Sequence, residues 1–225
     1  MLKSIINLFF PKVCLACNHI LTNDIDMICV DCRHNLPVTN FHFNNISDVK
    51  KVLYGRAKIE NATALFRFEK KSNVQRLIHN LKYKNHEHIG FILGNWLGGE
   101  LKTINAYKTI DAVIPVPLHK NKLKTRGYNQ VTKFGKQIAN ALQVDYIDNV
   151  LLKETNTKSQ VNKQRLARWN SNKELFTLKN QTTIENKHIL IVDDIITTGA
   201  TLESCISILN KAKNIKISIA TMAIA

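Results

Sequence analysis

Two groups of residues in this 225-residue chain have the types and spacing to do chemistry. The first is His188 to Thr201, HILIVDDIITTGAT, a short apolar and β-branched run that drops into two adjacent carboxylates and then a Thr-Thr-Gly turn. The run is too short for a helix, and Leu202, Ile206 and Leu209 repeat at helical spacing behind it, so the stretch reads as strand, polar loop, helix. Asp193 and Asp194 then fall at the end of a parallel strand, where open α/β sheets bind ligands. Gly199 lets the backbone approach an anion, N–H groups at the helix start point inward, and Thr197, Thr198 and Thr201 add hydroxyls. A carboxylate repels phosphate but accepts hydrogen bonds from hydroxyls and holds divalent cations, so a phosphorylated sugar satisfies both halves. A buried strand with an acidic helix cap explains one aspartate and one threonine, but not two aspartates, a glycine and three threonines together.

The second group is Cys14-x2-Cys17 and Cys29-x2-Cys32. Each C-x2-C turn aims two sulfurs at one point, and two such turns supply the four thiolates of a tetrahedral zinc. A redox site needs only one such pair, and disulfides do not suit a reducing compartment. Four protein ligands leave no open position for catalysis, so the zinc is expected to be structural and to hold a knuckle too small to fold by burial alone. His19 and His34 are expected on the surface.

The elements between these groups must position them. Ala62 to Phe68 alternates as a strand; Ser72 caps a helix with Val74, Leu77, Ile78 and Leu81 on one face, which carries Arg76 and His79 and ends at Lys82 and Lys84. A second, largely buried helix runs from about Gly90 to Leu101. Asp111 to Val116 is a buried strand ended by Pro115 and Pro117, followed by a basic loop, Lys120 to Arg126. Arg126 to Gln130, RGYNQ, opens a helix with Val131, Phe134, Ile138 and Leu142 inside. A second strand end, basic loop and helix start suits a second phosphate group. Leu152 to Phe176 is polar and basic, as surface segments are, and Ile215 to Ile224 is a last strand. Cys205 lies near an apolar stripe and reads as packing.

Composition adds charge without a unique meaning. There are 32 Lys plus Arg against 17 Asp plus Glu, a formal net charge of +15, which favours anionic partners; nucleic acid and plain solvation account for it equally well. No stretch reaches the 18 or more apolar residues of a membrane helix, and there is no Walker A or G-x-G-x-x-G motif. The opening, MLKSIINLFFPKVC, has a short apolar run that stops at Pro11 and Lys12 with no small-residue cleavage site after it. It reads as a docking segment of a cytoplasmic protein.

VDDIITTGAT resembles the phosphoribosyl pyrophosphate (PRPP) loop of type I phosphoribosyltransferases. Two cysteine knuckles, LKY after an early helix, PVPLH followed by RGYNQ, and VDDIITTGATL occur in the order seen in the ComF family, and the chain resembles those competence-associated proteins over essentially its whole length. The resemblance implies a three-layer α/β fold with a mostly parallel sheet. A four-cysteine zinc module at 1–37, a connector at 38–60 and a phosphoribosyltransferase-like domain at 61–225 are expected. It implies PRPP bound with Mg2+: Asp193 and Asp194 on the ribose hydroxyls, Thr197, Thr198, Gly199, Ala200 and Thr201 on the 5'-phosphate, Val116, Pro117 and His119 with Lys82 or Arg126 on the pyrophosphate, and Val192 among the other PRPP-binding residues. Gln160, Arg165 and Arg168 match the marks of a flexible loop that closes over PRPP. The resemblance further implies a link to natural transformation. Phosphoribosyl transfer to an unknown acceptor, nucleotide salvage, and single-stranded DNA binding with PRPP as a regulator, alongside competence or DNA-processing partners, are the functions it leaves open.

Overall fold

A computed structural model of the protein describes residues 11–21, 27–44, 47–154 and 175–225. The β-branched runs that alternate little in polarity form a parallel sheet buried on both faces, as such runs must. Its strands are β1 (Ala62–Arg67), β2 (Ala112–Pro115), β3 (Asp145–Tyr146), β6 (His188–Ile196) and β7 (Lys216–Ile224), in the order β1-β7-β6-β2-β3. All four pairings are parallel, with Ala112 to Pro115 opposite Ile189 to Val192 and His188 to Val192 opposite Lys216 to Ala220. A separate antiparallel pair, β4 (Leu151–Glu154) and β5 (Leu175–Leu178), flanks the sheet. The expected flexible-loop residues Gln160, Arg165 and Arg168 lie outside the described residues.

Alternate residues of the central strands enter two separate cores. Val113, Leu190 and Val192 pack with the helices α4 (Asn73–Tyr83), α5 (His88–Leu101) and α7 (Thr132–Leu142), while Ala112, Ile114, Ile189 and Ile191 pack with α3 (Asp48–Leu53), α8 (Ala200–Leu209) and Phe176 of β5. The result is the expected three layers. The short helices α1 (Val30–Asn35) and α2 (Phe41–Asn44) precede α3. Ser72 caps α4 as the sequence suggests, its hydroxyl accepting from Gln75 N at 3.2 Å. Three glycines of α5 allow α7 to approach closely: a Cβ on Gly94 would lie 2.5 Å from the Phe134 carbonyl oxygen.

Two expectations change. The basic stretch after β2 is not a loop but a helix, α6 (Lys120–Arg126), capped by His119 Nδ1 accepting from Asn121 N at 3.1 Å and ended by Gly127 at φ 82°. The acidic pair lies near the carboxyl end of β6 as expected, but the strand runs on past it to Ile196, because β7 continues to pair beside it: Asp193 stands opposite Thr221 and Ile195 opposite Ala223.

Candidate functional site

Strand order fixes where a ligand can sit. From β2 the chain passes outward to β3, whereas from β6 it passes the other way to β7, so β2 and β6 are neighbours whose connections diverge. A crevice opens at the carboxyl ends of such a strand pair. Val116 and Pro117 leave β2 there, and Asp193 and Asp194 approach it along β6, 8% and 5% exposed.

The carboxylates are held before any ligand arrives. Asp193 Oδ1 accepts from Asp194 N at 2.8 Å. Asp194 Oδ1 pairs with Lys82 Nζ at 2.9 Å, and its Oδ2 accepts from Gln130 Nε2 at 2.6 Å. Gln130 Oε1 in turn accepts from Arg126 Nη1, and the Arg126 guanidinium lies over the Tyr83 ring at 5.5 Å. Lys82 is therefore bound to the acidic pair rather than to its own helix end. The rest of RGYNQ completes a bracket: Tyr128 OH donates to Leu81 O, and Asn129 Nδ2 donates to Val116 O at 3.0 Å. One five-residue segment thus ties the end of α4, the loop after β2 and the carboxylate of β6 together. A cavity of about 510 Å³ opens beside it, with Lys82, Tyr83, Lys122, Arg126 and Tyr128 among its walls. The sequence marks RGYNQ as a motif but gives Tyr128, Asn129 and Gln130 no roles, since their partners are far off in the chain.

On the other side of the acidic pair, Gly199 has φ 74°, a conformation costly for any residue with a Cβ, and precedes the first turn of α8. Thr197, Thr198 and Ala200 are exposed, Thr201 is half-buried, and Ala200 N donates to Thr198 Oγ1 at 3.5 Å. The turn and the start of a ten-residue helix together make an arrangement whose N–H groups can receive an anion, a candidate cradle. His119 spends Nδ1 on capping α6 and is half-buried at the edge of the crevice.

The four cysteines meet as their spacing requires. Their sulfurs lie within 4.8 Å of one another, Cys17 Sγ 3.7 Å from Cys29 Sγ. Tetrahedral zinc with bonds of about 2.3 Å needs sulfurs about 3.8 Å apart, so the donor set fits. Backbone N–H groups also face the sulfurs, with Cys29 N 3.3 Å and Ala16 N 3.4 Å from Cys14 Sγ. Burial raises the Cys14 thiol, but N–H donation from Cys29, Cys17 and Ala16 outweighs it and brings the group down to about 7. Burial and the neighbouring thiols push Cys32 up. Such a set ionises fully only around a cation. His19 and His34 are exposed and stand outside it, and Cys205 is buried in the core. The cluster is not an isolated knuckle: Cys14, Leu15, Ile28 and Leu36 share one core with α4. Arg76 Nη1 donates to Ala16 O at 2.7 Å and Asn80 Nδ2 to Leu15 O at 2.9 Å.

Known proteins are similar to this chain. The phosphoribosyl transferase domain family matches residues 131–224, which include the acidic pair and the cradle. Competence protein F of Haemophilus influenzae is 29% identical over 139 residues, 60% of this chain and 61% of that protein. Competence protein ComFC of Streptococcus pneumoniae is 31% identical over 121 residues, 54% of this chain and 50% of that protein. DNA utilization protein YhgH of Escherichia coli K12 is 27% identical over 131 residues, 56% of each chain. The chain thus spans between half and about three-fifths of the length of these relatives. A parallel sheet, a match to the phosphoribosyl transferase domain family and a four-cysteine cluster near the N-terminus thus occur together in a chain that is similar to these competence and DNA utilization proteins.

Proposed function

We propose that the domain at 61–225 binds PRPP with Mg2+ in the crevice between β2 and β6 and that the protein serves DNA uptake. The observation that carries this is the acidic pair at the diverging strand ends, with the Gly199 cradle on one side and Lys82 and Arg126 on the other. Asp193 and Asp194 accept from the ribose hydroxyls, residues Thr197 to Thr201 take the 5'-phosphate, and Val116, Pro117 and His119 with Lys82 and Arg126 meet the pyrophosphate. For Lys82 this means leaving Asp194 as the hydroxyls replace it. If an acceptor is bound, the chemistry is displacement of pyrophosphate from the anomeric carbon. The protein's part is to orient the ribose and hold the departing negative charge with fixed N–H groups and cations. Zinc in the four-cysteine module of residues 1–37 is structural, residues 38–60 connect it to the domain, and the free thiols suit the cytoplasm.

Relatives named for competence and DNA utilization support the role in uptake. Single-stranded DNA as a second ligand is favoured by a specific observation: α6 exposes Lys120, Lys122 and Lys124, and Lys122 lines the same cavity as Tyr83, which is 69% exposed, on a chain of net charge +15. Cations beside an exposed aromatic ring suit a phosphate backbone with stacked bases. No helix among the described residues is long and apolar enough to cross a membrane.

Calorimetric titration with PRPP and Mg2+ tests the primary reading. Heat of binding is expected for the native chain and its loss for Asp193→Asn with Asp194→Asn. A native chain that gives no heat sinks the PRPP reading and makes single-stranded DNA the leading ligand. DNA affinity is then expected to fall steeply as salt rises.

A further inference from the structure

The polar segment before the first sheet strand, a connector by sequence, forms one wall of the phosphate cradle. Val52 and Leu53 at the end of α3 lie against Gly199: a Cβ there would come within 2.9 Å of both Val52 Cγ1 and Leu53 Cδ2. Just beyond α3, Arg56 reaches over the same turn. Its Nη1 donates to Thr198 O at 2.6 Å and to Val52 O at 3.3 Å. Its Nε donates to Glu203 Oε2 at 3.0 Å, and its Nη2 donates to that same oxygen. Arg56 thus bridges α3, the cradle and the first turn of α8.

We infer that Arg56 is a positioning residue for the cradle: it holds the Thr198 carbonyl away from the ligand, so that the Gly199 N–H faces the bound phosphate, and it cancels the charge of Glu203. The inference rests on the phosphate reading above. Its first half follows from the peptide bond. No cis bond occurs among the described residues, and in a planar trans peptide the carbonyl and the following N–H point in opposite directions. Fixing Thr198 O toward Arg56 therefore fixes Gly199 N–H toward the far side, adding a donor to those that the start of α8 leaves without intrahelical partners. Charge-assisted bonds such as Arg56 Nη1 to Thr198 O are the strong kind. The second half contributes less. Glu203 lies in the first turn of α8, where its charge favours the helix but opposes an anionic ligand. Arg56 and Glu203 side chains are 38% and 40% exposed, so water screens the pair, and the orienting role outweighs the cancellation of charge.

The test titrates the full 15N-labelled chain with ribose 5-phosphate and follows the Gly199 amide. Native protein, Arg56→Met, Arg56→Lys, Glu203→Gln and the double variant Arg56→Met with Glu203→Gln are compared. Arg56→Met is expected to move the Gly199 amide of the free protein and to weaken binding about tenfold. Arg56→Lys, which keeps the charge but loses the fork, should recover only part of that affinity. Glu203→Gln alone should bind within about twofold of native, and the double variant should remain several-fold weak because removing the carboxylate does not reorient the peptide. Full recovery in the double variant would overturn the orienting role, as would native affinity and an unmoved Gly199 amide in Arg56→Met. If native protein does not bind ribose 5-phosphate, the phosphate reading falls. The Gly199 amide of the free chains still tests Arg56 in that case: moved in Arg56→Met, it supports the orienting role; unmoved, it overturns it.

Discussion

Asp194 is the residue on which the most depends. It is 5% exposed, and each of its oxygens has a donor, so removing Lys82 leaves a buried charge with less compensation than removing both partners does. Lys82→Met and Asp194→Asn should each cost about 2 kcal/mol in urea denaturation, and the pair less than the sum. Additive costs would mean that the 2.9 Å pair does not couple. Two buried histidines make stability depend on pH. His42 bonds Thr63 Oγ1 through Nδ1 at 3.0 Å and stands 3.0 Å from Glu100; His188 bridges Thr109 and Ser218. Burial pulls both below the ordinary value of 6.5, more than the nearby Glu100, or Glu60 and Asp111, can restore. Above that value neither state holds the proton, and as pH falls through it the unfolded chain takes up protons that the folded one refuses. The melting temperature is therefore expected to drop between about pH 7 and about pH 5.5, and to drop less in His42→Gln and His188→Gln. A slope unchanged in both variants would place the titrating groups elsewhere.

At the scale of elements, the contact between α5 and α7 sets the position of RGYNQ, because α7 begins directly after it. Gly94→Ala would place a methyl 2.5 Å from Phe134 O and 2.8 Å from Gln137 Cβ, against backbone that cannot step aside without moving α7. We expect a loss of about 1–3 kcal/mol and weaker PRPP binding. Gly99→Ala in the same helix meets nothing within 4 Å and should instead be neutral or stabilising by about 0.5–1 kcal/mol. Equal denaturation midpoints for the two variants would contradict the packing. The glycine spacing along α5 is visible in the sequence, but its meaning requires knowing that α7 is the neighbour.

Over the whole molecule, the cysteine cluster and the domain share a core, and this predicts how metal loss is felt. Cys14 and Leu15 pack with Leu77 and Leu81 of α4, whose last turn carries Lys82. Replacing Cys14 and Cys17 with Ser should release the metal and lower the melting of the whole domain by several degrees in one cooperative transition. An early separate transition would show the module folding apart from α4. Unchanged metal content would defeat the metal assignment itself.

The three layers were implied by the family resemblance, and strands β3, β4 and β5 went unread, whereas order along the chain was enough to mark the other four strands, most helices, the cysteine set and the acidic strand end. Those features depend on periodicity and on residues within a few positions of each other, which sequence records directly. The length of β6 was not legible, since it depends on β7 pairing alongside the aspartates, and neither was the helix hidden in the lysine-rich stretch after β2. Sequence also left silent the contacts between distant residues. Gln130 meets Asp194 across 64 positions, Lys82 meets it across 112, and Arg56 reaches Glu203 across 147. A side chain that acts through a partner so far away has no local spacing to announce it, and only the packing of α3, α4 and α7 around the sheet brought these groups to one crevice.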